Sequence, residues 1–196
     1  MPDRTLPRVP LLPVEEARQK AADVGIPVPL AELNIFRVLL HRPRLAKCVS
    51  DLLLCLLFDP MLDPRLRELV IMRIGWVTGS DYEWTQHWKV AQDRFGLTPE
   101  ELLAVRDWQH SPLFGPTERA VLALTDDVLA TGTASRANWE AATAQLPGAG
   151  VCLELVAAVA TWIWVSHLTR ALEIPLEEGV ASWPPDGQPP AAHSRR

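Results

Sequence analysis

The feature that most constrains this fold is a helical spacing of apolar residues, broken at intervals by proline and glycine. No period-two alternation closed by a hairpin signal accompanies it. Strands need alternating faces, and this pattern supplies none, so the expected fold class is all-α, a multi-helix bundle. Expected helices run from Arg44 to Leu57, Pro64 to Val77, Ser80 to Phe95, Thr98 to Trp108, Pro116 to Leu129, Ser135 to Gln145 and Gly150 to Leu172. Asp63-Pro64 reads as an N-cap followed by proline in the first turn, and Ser80-Asp81-Tyr82-Glu83 has the S-x-x-E form of a capping box. Gly79, Gly96, Leu146-Pro147-Gly148 and Ile174-Pro175 supply the breaks.

The 18 prolines fall mostly at these breaks and at the two ends. Residues 1–13 hold four of them and are expected to form a flexible arm, followed by a single helical domain over 14–178 and a Pro-rich disordered tail over 179–196. Nineteen basic against 24 acidic residues give a net charge of -5, so there is no excess positive field to track a phosphate backbone, and nucleic acid is not an expected partner. The N-terminus opens on charges and prolines rather than on an apolar run, which fits a cytoplasmic protein. The longest apolar stretch, Val151 to Val165, carries Glu154 and falls short of a bilayer's thickness, so it is assigned to a core and no membrane partner is expected. Cys48, Cys55 and Cys152 are odd in number and form no C-x-x-C or Cys/His ligand spacing. They are expected to be buried thiols rather than disulfide or zinc ligands.

The chemistry-bearing stretch is RELVIMRIGWVTGSDYEWTQHW, Arg67 to Trp88. On a helix starting at Ser80, the residues Ser80, Glu83 and His87 are three and four positions apart and share one stripe. A Glu/His pair one turn apart can exchange protons, and an imidazole titrating near about 6.5 serves as base or acid at neutral pH. Glu83 is equally accounted for as the N3 member of the capping box and His87 as a solvated helix residue. Trp76, Tyr82, Trp84 and Trp88 crowd the same segment, and Trp162 and Trp164 lie in the last apolar helix. Aromatic walls around few polar groups describe a small-molecule pocket, and they describe a core or subunit interface as well.

This register of RELVIMR, WVTG and a polar helix ending in His87 resembles the carboxymuconolactone decarboxylase and alkylhydroperoxidase-D-like superfamily. The likeness runs from Asn34 to Leu176 and includes ERAVLALTDDV at Glu118 to Val128. In the peroxidase branch a glutamate precedes C-x-x-C, and a histidine follows four residues after the second cysteine. Here Glu68 matches the glutamate and His87 the histidine, while Ser80 and Glu83 stand where the cysteines would be. Neither can form a sulfenate or a disulfide, so peroxidase activity is not expected. The decarboxylase branch works on an unsaturated cyclic acid by acid/base chemistry, without a cysteine pair, metal or organic cofactor.

The resemblance therefore implies a cofactor-independent lyase or isomerase acting on a small anionic or carbonyl-containing metabolite, a function compatible with specialised metabolism, in a homo-oligomer. His87 would move the proton, and Glu83 or Glu68 would orient the imidazole. Arg73 is a candidate to hold a substrate carboxylate or oxyanion, or else a structural partner of Glu68. Ser80, Tyr82, Trp84, Trp162 and His167 are candidate substrate contacts, and Arg170 is a candidate anion or subunit contact. One helical Glu/His pair is too few ligands for a metal site. The alternative is a non-catalytic oligomeric binding or assembly protein that has lost the redox cysteines. A third and weaker reading keeps redox activity in Cys48, Cys55 or Cys152.

Overall fold

The computed structural model describes residues 6–191. Among them are ten α-helices, one 3-10 turn and no strand, which is the all-α class expected. The chain divides into two compact units, one comprising residues up to 59 with 168–180 and the other 60–167 with the stretch from 181 onward.

The first unit contains α1 (Val14–Val24), α2 (Val28–Ala31), α3 (Asn34–Leu39) and α4 (Pro43–Phe58). Glu15 and Glu16 lie in the first turn of α1, where the helix dipole favours them. Gly25 closes the helix at φ 71, a left-handed conformation that costs glycine little. Buried Ala17 and Ala21 let α1 approach α3 and α4 closely. None of α1, α2 or α3 was among the expected helices. The Glu-Glu start and the Gly25 stop of α1 are legible in retrospect, but neighbouring prolines mask them. Part of the expected N-terminal arm is fastened. Leu12 is buried, its N–H donates to Arg37 O at 3.2 Å and its carbonyl accepts from Arg37 Nε at 2.7 Å. Arg8 N–H donates to Leu172 O at 2.9 Å. Residues 1–5 lie outside the described residues.

The second unit is built around α5 (Pro64–Thr78), which packs against both α6 (Asp81–Phe95) and α8 (Pro116–Thr131). Asp63 Oδ1 caps α5 by accepting from the N–H groups of Arg65 at 2.8 Å and Leu66 at 3.1 Å. A side chain at Gly75 would place its Cβ 3.1 Å from Trp84 N, so glycine allows α5 and α6 to approach backbone to backbone. α7 (Pro99–Ala104) carries the Thr98/Glu101 capping box and tightens into a 3-10 turn at Val105–Asp107, short of the Trp108 end expected. α9 (Arg136–Gln145) packs against α8.

α10 (Ala149–Ala171) belongs to this unit as far as His167. Its 23 residues make it long and apolar enough to cross a bilayer, longer than the stretch judged from sequence. Half of its apolar window is nevertheless buried inside the protein, and Glu154 is committed to the N–H groups of Met61 at 2.7 Å and Leu62 at 3.0 Å.

The segment expected as a disordered tail is strapped down over residues 182–186. Trp183 is 8% exposed, and its N–H donates to Asp81 Oδ1 at 3.0 Å, beside a Ser182–Asp81 hydrogen bond. Its ring meets Trp76 and Trp84 at centroid distances of 5.9 and 6.1 Å, while Trp84 Nε1 donates to Pro184 O at 2.8 Å. Asp186 makes a two-point contact with Arg106 at 2.7 and 3.1 Å, and that guanidinium lies over the Trp76 ring at 4.3 Å. The polar, Pro-rich composition gives a poor account of this segment because one tryptophan supplies its anchor. Residues 192–196 of the expected tail lie outside the described residues.

Candidate active site

Side chains from α5, α6 and α10 meet around one imidazole. Glu68 lies in the buried middle of α5 with no exposed surface, and its Oε2 is 2.7 Å from His87 Nδ1. The partner of a carboxylate must donate, so the neutral imidazole carries its hydrogen on Nδ1 and keeps its lone pair on Nε2. Around Nε2 stand Trp162 Nε1, which donates at 3.4 Å, and Glu83 Oε2 at 3.9 Å. The Trp162 ring stands edge-on to the imidazole, with centroids 6.0 Å apart. On the far side of Glu68, Arg67 donates to Oε1 from Nη2 at 3.0 Å and from Nε at 3.3 Å, and its guanidinium covers the Phe95 ring at 4.9 Å. Arg67 is 1% exposed and the His87 side chain 14%, so the row leads from a sealed cation to an imidazole that solvent can still reach.

Burial opposes charge on all three titrating groups, and their neighbours decide the outcome. For Glu68, burial pushes the pKa up, but His87 and then Arg67 outweigh it and hold the carboxyl below its usual range. Burial dominates at Glu83 and raises it to about 7. His87 opposes that rise and the Glu68 charge adds to it. His87 is itself lowered by burial, but raised overall by the Glu68 charge and hydrogen bond and by Glu83. The site therefore holds a fixed anion at Glu68 and exchangeable protons at Glu83 and His87, which titrate as a coupled pair.

The geometry at the start of α6 departs from a reciprocal capping box. Ser80 is the buried N-cap of α6, but its N–H donates to Gly75 O at 2.8 Å, the bond a reciprocal capping box would give to Glu83. Ser80 Oγ accepts from Glu83 N–H at 3.5 Å, and the freed Glu83 carboxyl turns to His87.

Residues 43–127, which include Glu68, Glu83 and His87, match the model of the carboxymuconolactone decarboxylase family. Over this stretch the chain is similar to that family. Its fold is that of the alkylhydroperoxidase-D-like proteins. An alkylhydroperoxidase AhpD core, a peroxidase-related protein from Ralstonia eutropha JMP134, superposes with a TM-score of 0.72 at 18% identity, covering 88% of this chain and 93% of that one. A peroxidase-related protein from Silicibacter sp. TM1040 gives 0.70 at 13% identity, covering 90% and 92%. A debrominase solved as a cysteine-to-alanine variant with 2,3,4-tribromopyrrole gives 0.63 at 17% identity, covering 84% and 86%. No curated protein matches the sequence.

Within this carboxymuconolactone decarboxylase-like scaffold, the predicted site residues divide into two groups. Glu68, Glu83, His87 and Trp162 come together. Arg73 does not join them. It grips Asp126 at 2.7 and 2.9 Å and donates to the carbonyls of Val105 and Arg106 at 2.8 and 3.0 Å, so it ties α5 to α8 and to the 3-10 turn instead of offering a free cation. Tyr82 and Trp84 are buried, and the Trp84 ring packs with Trp76, Trp88 and Trp183 under the strap. His167 and Arg170 are exposed on α10.

Cys48 and Cys55 are exposed, contrary to the expectation of buried thiols, because both sit on the outer side of α4, whereas Cys152 is buried. Sequence reasoning missed Arg67. The signal was a charged pair set in a run, Leu66 to Met72, whose other members are all large apolar core residues. Among the described residues no group of three or more His, Cys, Asp or Glu has metal-holding geometry.

Proposed function

We propose that this protein is a cofactor-independent acid/base enzyme, a decarboxylase-like lyase or an isomerase, acting by proton transfer on a small anionic or carbonyl-containing metabolite. The observation that carries this reading is the Glu68–His87–Glu83 row, with 2.7 Å on one side of the imidazole and 3.9 Å on the other. Glu68 fixes the Nδ1–H tautomer, so Nε2 can take a proton from a carbon acidified by a carbonyl while the electron pair moves onto the carbonyl oxygen as an enolate. In a decarboxylation the same enolate forms as the carbon–carbon bond breaks and carbon dioxide leaves. Collapse of the enolate then draws a proton onto carbon from the His87 imidazolium or from Glu83, whose pKa of about 7 keeps a share of it protonated at neutral pH. The imidazolium also balances the charge of an anionic substrate.

The family match supports a catalytic role, and the debrominase neighbour supports small-molecule chemistry on this fold. A thiol-based peroxidase reaction has no footing at Ser80 and Glu83. The test is deuterium incorporation from D2O into a panel of unsaturated cyclic acids and β-keto acids, followed by NMR for the wild type and for His87→Ala. Wild-type exchange that falls by about 10²-fold or more in a folded His87→Ala protein is expected. Exchange at the wild-type rate in that variant overturns the proposal.

A further inference from the structure

Trp162 is 1% exposed, and its Nε1–H has one hydrogen-bond acceptor among the described residues, His87 Nε2 at 3.4 Å. An indole nitrogen donates and never accepts, so this bond occupies the same lone pair that would take a substrate proton. The two states of the imidazole treat it in opposite ways. The neutral ring accepts from Trp162, whereas the imidazolium turns an Nε2–H toward the indole N–H and sets two donors face to face. A buried donor without an acceptor is costly, so Trp162 needs another acceptor at the moment His87 becomes protonated. The nearby cations are committed elsewhere, Arg67 to Glu68 and Arg73 to Asp126, and neither is placed to hold a substrate oxygen.

We propose that the Trp162 indole N–H is the oxyanion donor of the reaction, passing from His87 Nε2 to a carbonyl oxygen of the substrate. This rests on the proton-transfer reading above and adds a requirement on the substrate. The acidic C–H must adjoin the carbonyl, so that the hydrogen meets Nε2 while the oxygen meets the indole nitrogen 3.4 Å away. As the proton passes to Nε2, the carbon–hydrogen pair becomes the carbon–carbon double bond and the carbonyl π pair moves onto oxygen. The indole N–H then faces a developing negative charge, and its bond is stronger to the enolate than to the bound carbonyl, which is the condition for lowering the barrier. On collapse the imidazolium returns its proton to carbon, and Trp162 returns to the vacated lone pair. A molecule with no carbonyl beside its C–H would displace the indole from Nε2 and offer it nothing in exchange.

The charged groups that bear on the imidazole are Glu68 and Arg67 from α5 and Glu83 from α6, while α10 brings the neutral indole, so exchanging Trp162 alters a hydrogen bond and no charge. The test places benzothienylalanine, an isostere with sulfur for the N–H, at position 162, with Trp162→Phe as a second variant. In 15N NMR of the free protein, the His87 midpoint is expected to rise by about half a pH unit or more, because only the neutral imidazole loses a bond. With the β-keto acids of the panel above as probes, kcat for deuterium exchange at a pH above that midpoint is expected to fall about 10²-fold. KM should change little, since the ground state trades one neutral bond for another. Trp162→Phe is expected to move kcat and the midpoint in the same directions. An unmoved or lowered midpoint, or wild-type kcat in the isostere while His87→Ala is inactive, overturns the donor assignment and leaves the proton-transfer reading standing. A wild type that exchanges none of the panel removes that reading, and the donor assignment with it.

Discussion

Glu68 and His87 stand 19 residues apart in the sequence and 2.7 Å apart in the fold, and the carboxylate of that pair has no exposed surface. A buried anion is tolerated only where charge and hydrogen bonds compensate it, and here His87 on Oε2 and Arg67 on Oε1 do so from opposite sides. Glu68→Gln removes the charge that raises the imidazole pKa, and it ends control of the tautomer, since an amide both donates and accepts. Any turnover that depends on His87 as the base should fall by about 10²-fold or more, with the acidic limb of the pH–rate profile, along which the imidazole becomes the free base, moved to lower pH. A drop in rate with an unmoved profile would count against a positioning role for Glu68.

Arg67 bears on stability more than on the reaction. Arg67→Met retains most of the side-chain volume over Phe95 but strips Glu68 of its permanent cation, which should cost about 3–5 kcal/mol in urea unfolding at pH 7. A loss below about 1 kcal/mol would mean that Glu68 is held as an anion by His87 alone.

The same three groups give stability a defined pH dependence. Glu83 rises from about 4.3 in the unfolded chain to about 7 in the fold, so its contribution is complete at acid pH and lost as pH climbs toward 7. His87 is also raised in the fold. Its contribution is present below about 6.5 and is lost as pH passes its folded value. Glu68, depressed, contributes in the opposite sense, above about 4.3 and no longer once acid protonates it. The protein should therefore be less stable at pH 8 than at pH 5.5, and Glu83→Gln should flatten that slope by about 2 kcal/mol. An identical slope in wild type and variant would place Glu83 in an ordinary solvated environment.

The strap at residues 182–186 depends on a single large anchor. Trp183→Ala empties the space beside Trp76 and Trp84 and should cost about 3 kcal/mol in thermal or chemical unfolding. Amide exchange should quicken at the backbone N–H of position 183, which in the wild type is bonded to Asp81. Unchanged stability would show that the segment is merely resting on the surface. Asp186, held down to about 2 by the Arg106 guanidinium, keeps its charge and its grip well into acid solution.

At the junction of α5 and α6, Gly75→Ala is expected to destabilise by about 1–3 kcal/mol, since the new Cβ meets Trp84 N at 3.1 Å and backbone cannot step aside as a side chain can. A neutral substitution there would show that the two helices can separate freely.

What was legible in the sequence is what depends on neighbours along the chain. Asp63-Pro64, Gly79 and Gly96 mark the bounds of α5 and α6 because caps and left-handed stops are local devices. Glu83 and His87 were legible as one stripe because helical spacing alone puts them there. The fate of Arg73 was not, since Asp126 lies 53 residues away and nothing in RELVIMR announces it. Nor was the Trp183 anchor, whose partners Asp81 and Thr85 precede it by about a hundred residues. The first two short helices of the first unit were obscured by Pro13, Pro27 and Pro29, which stand at helix starts where proline reads as readily as a break.

The most direct measurement of the central claim, a coupled proton site at Glu68, His87 and Glu83, is a histidine-selective 15N NMR titration of the full chain, repeated for Glu83→Gln. The expected result is His87 in the Nδ1–H tautomer, with a midpoint above about 6.5 and a second inflection near pH 7 that disappears in the variant. An Nε2–H tautomer, or a single midpoint at or below about 6.5 that the variant leaves unmoved, would contradict it.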